Sequence, residues 1–315
     1  SGSFDNIVVA PDYVYLRFVP GDAEIPGLAN IKPSQRNMLV KRLLSVDADY
    51  LVLDLGAGTG SSILDFFLMS SQGIVVTTPT LTATLNGYLF IKNAVFRLLY
   101  SSFGTRSKAY EYLESLRRDG TSLQKAYVPA ILAKIAEIDP DRHRIATERL
   151  ARFRPRLLLN MLDEPKEAEK AQKIRRSCQD YLTVDLEHLG VLYRDEMQDI
   201  ALGSRIPIIR YKPQAIFSQA VYRIADKLIS MGDQIDAPLS ISEIEGSFQT
   251  AELEAESDFG AKIAYVEDLL NSGALTTGDL VETVRSQQFE IDKLRRESQF
   301  LKHKLARAIG QGFTG

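Results

Sequence analysis

The residues best suited to chemistry in this 315-residue chain form one continuous run, Val52-Leu53-Asp54-Leu55-Gly56-Ala57-Gly58-Thr59-Gly60, where an apolar stretch ends in a carboxylate and then in alternating glycines. Such a turn lets backbone amides approach a phosphate or a ribose closely, and four arrangements fit it. A phosphate-cradling loop requires G-x-x-x-x-G-K-[ST], with the lysine on the outer phosphates and the hydroxyl on magnesium. No lysine follows the glycines here, and that spacing occurs nowhere in the chain. A dinucleotide or S-adenosylmethionine site adds an acidic residue about 20 positions on to hold ribose hydroxyls. The next apolar segment ends instead in Val76-Thr77-Thr78-Pro79-Thr80. In a third arrangement Asp54 closes an apolar strand and holds magnesium through water, while Gly56 belongs to a switch that senses a γ-phosphate, a task that glycine's free φ suits. The fourth is a tight strand-to-helix turn in which Asp54 caps the helix.

Each arrangement needs a sheet to present the turn. Tyr50–Leu55 reads as a buried parallel strand, and Ser61 or Ser62 as the cap of a helix reaching Met69. Gly73–Thr78 reads as a second buried strand stopped by Pro79, with a helix from Thr82 to Leu99 after it. Upstream, Ile7–Val9 and Tyr13–Val19 read as short strands, and Ser34 as the cap of a helix through Leu44. From Phe103 to Phe153 no strand pattern occurs, only charged helical stretches such as Lys108–Arg118 and Leu123–Ile138, which together make a helical insertion. Strand character resumes at Arg156–Asn160 and Leu186–Leu192, followed by a helix at Phe217–Ile229. This alternation predicts an α/β domain with a parallel sheet and helices on both faces. The expected division is a domain over residues 1–232 with its insertion at 103–153, an acidic linker over 233–263, and a C-terminal helical segment over 264–315.

In that segment Tyr265–Leu270 reads as a short helix, and Thr277 as the start of a long one. Leu280, Val284, Ile291, Leu294, Leu301 and Leu305 fall on a and d positions of a heptad, interrupted by Gln287 and Ser298. Three roles fit: packing on its own domain, a coiled coil to another chain, or membrane contact through the basic cluster Lys293, Arg295, Arg296, Lys302, Lys304 and Arg307 beside Phe300.

Composition narrows the remaining chemistry. With 45% hydrophobic and 25% charged residues the chain is globular in character, and a net charge of −3 provides no general attraction to nucleic acid or anionic lipid. No nucleic-acid partner is expected. A single cysteine, Cys178, excludes an internal disulfide, and His143, His188 and His303 lack metal-ligand spacing. The absence of a long apolar run predicts a cytoplasmic protein, peripheral to the inner face of the membrane if the basic helix binds there.

Taken alone, Asp54-x-Gly56-x-Gly58-x-Gly60 resembles motif I of class I methyltransferases, but no Asn/Asp-Pro-Pro-aromatic motif accompanies it. A broader likeness covers most of the domain. Asp49 to Thr59, then Leu64-Asp65-Phe66-Phe67, then Ile74 to Pro79 with Tyr88 and Ile91-Lys92, resemble the MinD/ParA family of P-loop ATPases, particularly its FlhG-like members. Leu157-Leu158-Leu159-Asn160-Met161 is similar to that family's adenine-recognising strand, and Leu189 to Asp195 with Ile206 to Pro213 to its last sheet segment and following loop. The resemblance implies a protein that dimerises around ATP and magnesium, with Asp54 as the magnesium-shell carboxylate, Gly56 as the γ-phosphate switch and Asn160 as the base reader. Thr80 and Asn86 stand where many members have acidic residues. The family's first βαβ unit, on the order of 30 residues or more with the P-loop and signature lysine, would precede Phe4. On this reading the chain is an incomplete P-loop NTPase domain that binds no cofactor tightly and hydrolyses no ATP alone. Its role is then spatial positioning or partitioning through self-association or a partner protein, at the C-terminal helix or at sheet surface left bare where the P-loop strand would pair. The alternatives are an S-adenosylmethionine-dependent methyltransferase and a non-enzymatic coiled-coil scaffold.

Overall fold

The computed structural model describes residues 9, 13, 15–21, 33–119, 127–231, 241–273 and 276–310. Its helices and strands begin with α1 (Pro33–Leu43), α2 (Ser61–Phe67), β1 (Ile74–Thr77) and α3 (Leu81–Ser102). The helical stretch after α3 contains α4 (Lys108–Arg118), α5 (Val128–Ile138) and α6 (Pro140–Arg152). Next come β2 (Arg156–Leu162), a short 3-10 turn at Pro165–Glu169, α7 (Lys170–Leu182) and β3 (Glu187–Tyr193). The chain continues through α8 (Glu196–Gly203), α9 (Ile208–Tyr211), α10 (Ile216–Met231), α11 (Ile241–Asn271) and α12 (Thr277–Gly310). The protein is thus mixed α/β, mostly helical, with a small parallel sheet in the order β1-β2-β3.

The sheet sets the two layers. Val75, Leu157 and Leu159 share one face, because Val75 pairs with Leu157 and Thr77 with Leu159 while side chains alternate along each strand. α3 covers that face, and Gly87 of α3 comes so close to Thr77 that a Cβ there would lie 3.6 Å from it. On the opposite face Leu158 and Leu192 pack with Ala220, Phe217, Val221 and Ile224 of α10. Helices therefore cover both faces of β2 and β3, as expected. β1 differs: Val75 and Thr77 are buried while Ile74 and Val76 are exposed.

Local chemistry explains most boundaries. Pro33 opens α1, where its missing amide costs nothing, and Lys41 and Arg42 sit in the last turn where the helix dipole favours cations. Ser34 therefore lies inside that helix. Thr80 Oγ1 accepts from the Ala83 amide at the start of α3, and Asp139 caps α6 through the Arg142 amide. Gly60, with no side chain to cap, takes the N-cap of α2, so neither Ser61 nor Ser62 does, and the helix ends at Phe67. Asp65 joins three helices: Arg97 Nε and Nη2 of α3 donate to its two oxygens at 2.6 and 2.9 Å, and Arg36 Nη1 of α1 lies 2.6 Å away.

Three further expectations require correction. Tyr50–Leu55 is not a buried strand: the segment has no pairing partner among the described residues, and Val52 is 87% exposed. An apolar run becomes a strand only where a neighbouring edge takes up its amides and carbonyls, and among the described residues β1 pairs with β2 alone. In place of the strands Ile7–Val9 and Tyr13–Val19, the described residues there give an isolated antiparallel bridge between Val9 and Phe18; residues 7, 8 and 14 lie outside the described residues. The acidic linker is mostly helix: residues 241–263 belong to α11, with Ile244, Phe248, Ala251 and Ala255 buried at helical spacing. Its acidic residues largely hid that stripe in the sequence. The start of Leu123–Ile138 lies outside the described residues, as do 232–240.

The first compact unit, Ser1–Glu256, contains the sheet. Its edge at β3 is closed by side chains: Ser247 Oγ accepts from the His188 amide, and Lys227 Nζ donates to the Leu189 carbonyl at 3.0 Å. Tyr193 donates its hydroxyl to the Ala255 carbonyl. These contacts pin α10 and α11 to the strand, an effective way to keep an edge from pairing further. The second unit, Ser257–Gly315, contains the end of α11 and all of α12.

Candidate functional site at the strand ends

Ligands of open parallel sheets bind beyond the carboxyl ends of the strands. β1 leads directly into the Thr78-Pro79-Thr80 corner, where Thr78 Oγ1 and Thr80 Oγ1 lie 3.3 Å apart and Thr84 Oγ1 donates to the Thr80 carbonyl. The corner offers hydroxyls committed to helix capping where a ribose-binding site would have a carboxylate.

Asn160 stands one residue beyond the level of Thr77, since Thr77 pairs with Leu159. It is half-buried, and its Oδ1 accepts from the Met161 amide at 2.9 Å. Met161 has φ +62, in the left-handed region that L side chains avoid, and the β2–β3 register shifts between Leu159 and Leu162. The result is a bulge that lifts Asn160-Met161 out of regular pairing with β3. Bulges of this type re-aim side chains at sheet ends. Sequence reasoning identified Asn160, but not the strained neighbour that holds its oxygen.

The loops after β2 and β3 are joined by Arg194 Nε donating to Asp163 Oδ1 at 3.2 Å, an exposed pair. Asp195 caps α8 through the Met197 amide. The threonine corner, Asn160 and this pair make up one end of the sheet, and the sequence alone did not single out Asp163 or Arg194 for it.

Asp54 and Gly56 lie in the unpaired segment before α2, and both are exposed. Of the glycines in the run, only Gly58 has a backbone that requires glycine, with φ +125; a Cβ at Gly56 or Gly60 would meet open space. The turn of the notional switch is thus built around Gly58. No group of three or more His, Cys, Asp or Glu side chains able to hold a metal occurs among the described residues.

No family model matches the chain, and no curated protein matches it.

Magnesium and a nucleotide triphosphate need a ring of amides and a cation around the phosphates. The sequence contains no loop of that kind, Asp54 is a lone exposed carboxylate, and Asn160 Oδ1 is engaged by its own neighbour. These residues do not fit a complete magnesium–ATP site.

Cys178 and His188 lie elsewhere in the first unit. Burial pushes the Cys178 thiol up to about 12. Burial, with Lys227 nearby, pushes His188 down to about 3; its ring nitrogens have no partner and its ring stands edge-on to Phe248. Neither is placed for catalysis. No helix among the described residues is long and apolar enough to cross a membrane.

Proposed function

We propose that this chain is MinD/ParA-like, closest in pattern to the FlhG-like members, with a role in positioning or partitioning exercised through assembly and no ATP hydrolysis by the chain alone. The observation that carries the reading is the adjacency of β1 and β2 as parallel neighbours, with the Thr77–Thr80 corner and Asn160 at the same end. Those are the segments whose order and spacing carry the family resemblance. Among the described residues Tyr50–Leu55 is unpaired and β1 pairs with β2 alone, which also supports it. In the family, the P-loop strand lies inside the sheet and would pair with such edges.

The methyltransferase reading shares the glycine run but needs a paired strand beneath it and an acidic residue for the ribose. The structure gives Val52 at 87% exposure and threonines at the end of β1. Calorimetric titration with S-adenosylmethionine and with magnesium–ATP separates the two. The proposal expects no heat of tight binding from either ligand, and micromolar binding of S-adenosylmethionine would overturn it. A pure scaffold role agrees with the proposal on chemistry and differs only in ancestry.

A further inference from the structure

We infer that α12 forms a parallel, in-register coiled coil with α12 of a second copy of this chain. The helix is 34 residues long, which is about 50 Å at 1.5 Å per residue. Every described side chain along it is exposed, including Val284, Ile291, Leu294, Leu301 and Leu305. A helix this long with an uncovered apolar stripe gains stability by burying that stripe against another helix.

The sequence specifies the occupant. Steps of four and three residues run without a break from Leu280 through Val284, Gln287, Ile291, Leu294, Ser298 and Leu301 to Leu305. This assigns Val284, Ile291, Ser298 and Leu305 to a positions and Leu280, Gln287, Leu294 and Leu301 to d positions. β-Branched residues at a with leucine at d favour a parallel two-stranded coil. The flanking charges agree. Glu290 and Glu297 occupy g positions, and Arg295 and Lys302 occupy the e positions of the following heptads. In a parallel in-register pair each g residue meets the e residue five positions on in the other chain, so Glu290 meets Arg295 and Glu297 meets Lys302, twice over by symmetry. In an antiparallel pair aligned to keep the apolar layers, Glu290 meets Glu297 instead. Charge at these positions sets partner and orientation. Arg295 is free to exchange its present contact, a 3.9 Å approach to Asp292 on its own helix with the Arg295 side chain 75% exposed. Gln287 and Ser298 make polar layers that fix register at some cost in affinity.

Phe289 and Phe300 fall on f and c positions and stay outside the seam. That separates a coiled coil from membrane docking, which would use both.

The test is sedimentation of the full-length chain and its variants. The native chain is expected to be a dimer. Arg295→Glu/Lys302→Glu and Glu290→Lys/Glu297→Lys should each dissociate at least about tenfold more readily, and an equimolar mixture of the two should regain native affinity as a heterodimer. Such recovery cannot come from misfolding. Leu294→Cys should cross-link to itself on mild oxidation, since the native Cys178 is buried, while Phe289→Ser/Phe300→Ser should leave the dimer intact. A monomeric native chain, charge variants that dimerise as the native chain does, a mixture that stays monomeric, or a Leu294→Cys variant that forms no cross-link would each overturn the inference. So would monomers that bind anionic phosphatidylserine vesicles through Phe289 and Phe300.

Discussion

Arg156 of β2 and Glu187 of β3 stand directly opposite each other in the sheet, and Arg156 Nε donates to Glu187 Oε2 at 3.0 Å with both side chains less than 10% exposed. This sealed charge pair sits at the start of both strands, away from the end where Asn160 lies. Its net contribution is small, because desolvating both ions offsets most of their attraction. Breaking it is another matter. Arg156→Met alone leaves a buried carboxylate and should lower unfolding free energy by about 3 kcal/mol. Arg156→Met/Glu187→Leu should recover most of that loss. Urea unfolding of both variants checks this; an equally destabilised double variant would mean the pair stabilises the sheet outright.

His188 predicts a pH dependence whose sign follows from its lowered pKa. The unfolded chain takes up a proton near pH 6.5, while the folded chain resists until about 3. Stability contributed by the neutral ring is complete above about 6.5 and falls as pH drops through that window. At pH 5 the loss should reach about 2 kcal/mol relative to pH 7. His188→Leu keeps an apolar body against Phe248 and should remove that share of the dependence. An unchanged pH profile in the variant would assign the effect to other groups.

Cys178 lies buried in α7 with its thiol pushed up to about 12. Both burial and protonation block attack by disulfide reagents. The folded chain should therefore react with an aromatic disulfide at least about a hundredfold more slowly than the urea-unfolded chain. Rapid labelling under native conditions would show that α7 opens readily from α3 and α5.

How much of this was legible beforehand depends on what each element rests against. Lys108–Arg118 appears in the structure with the expected bounds, because Ser107 caps it and its charges face water in the expected pattern. β2 and β3 were visible as apolar runs because helices cover both of their faces. Tyr50–Leu55 has the same composition, yet its neighbour decides its state, and composition carries no information about a neighbour. Of α11 only Tyr265–Leu270 was legible as helix; the rest was missed because glutamates surround Ile244, Phe248, Ala251 and Ala255, so mean polarity concealed a buried stripe at helical spacing. α7, whose buried Ala171, Ile174, Cys178 and Leu182 show the same spacing, was missed among lysines and arginines. At the strand ends, Asn160 stood out as a polar residue in an apolar run, which continues as strand to Leu162. The bulge and the left-handed Met161 beside Asn160 did not, since backbone strain arises from tertiary pairing and leaves no residue signature there.

We propose that Asp54 and its glycines run no phosphate chemistry without a gripping loop. Steady-state ATP hydrolysis by the full-length chain with magnesium, measured beside Asp54→Ala, tests it most directly. Neither protein is expected to turn over ATP above the buffer rate. Turnover by the native chain that disappears in Asp54→Ala would contradict it.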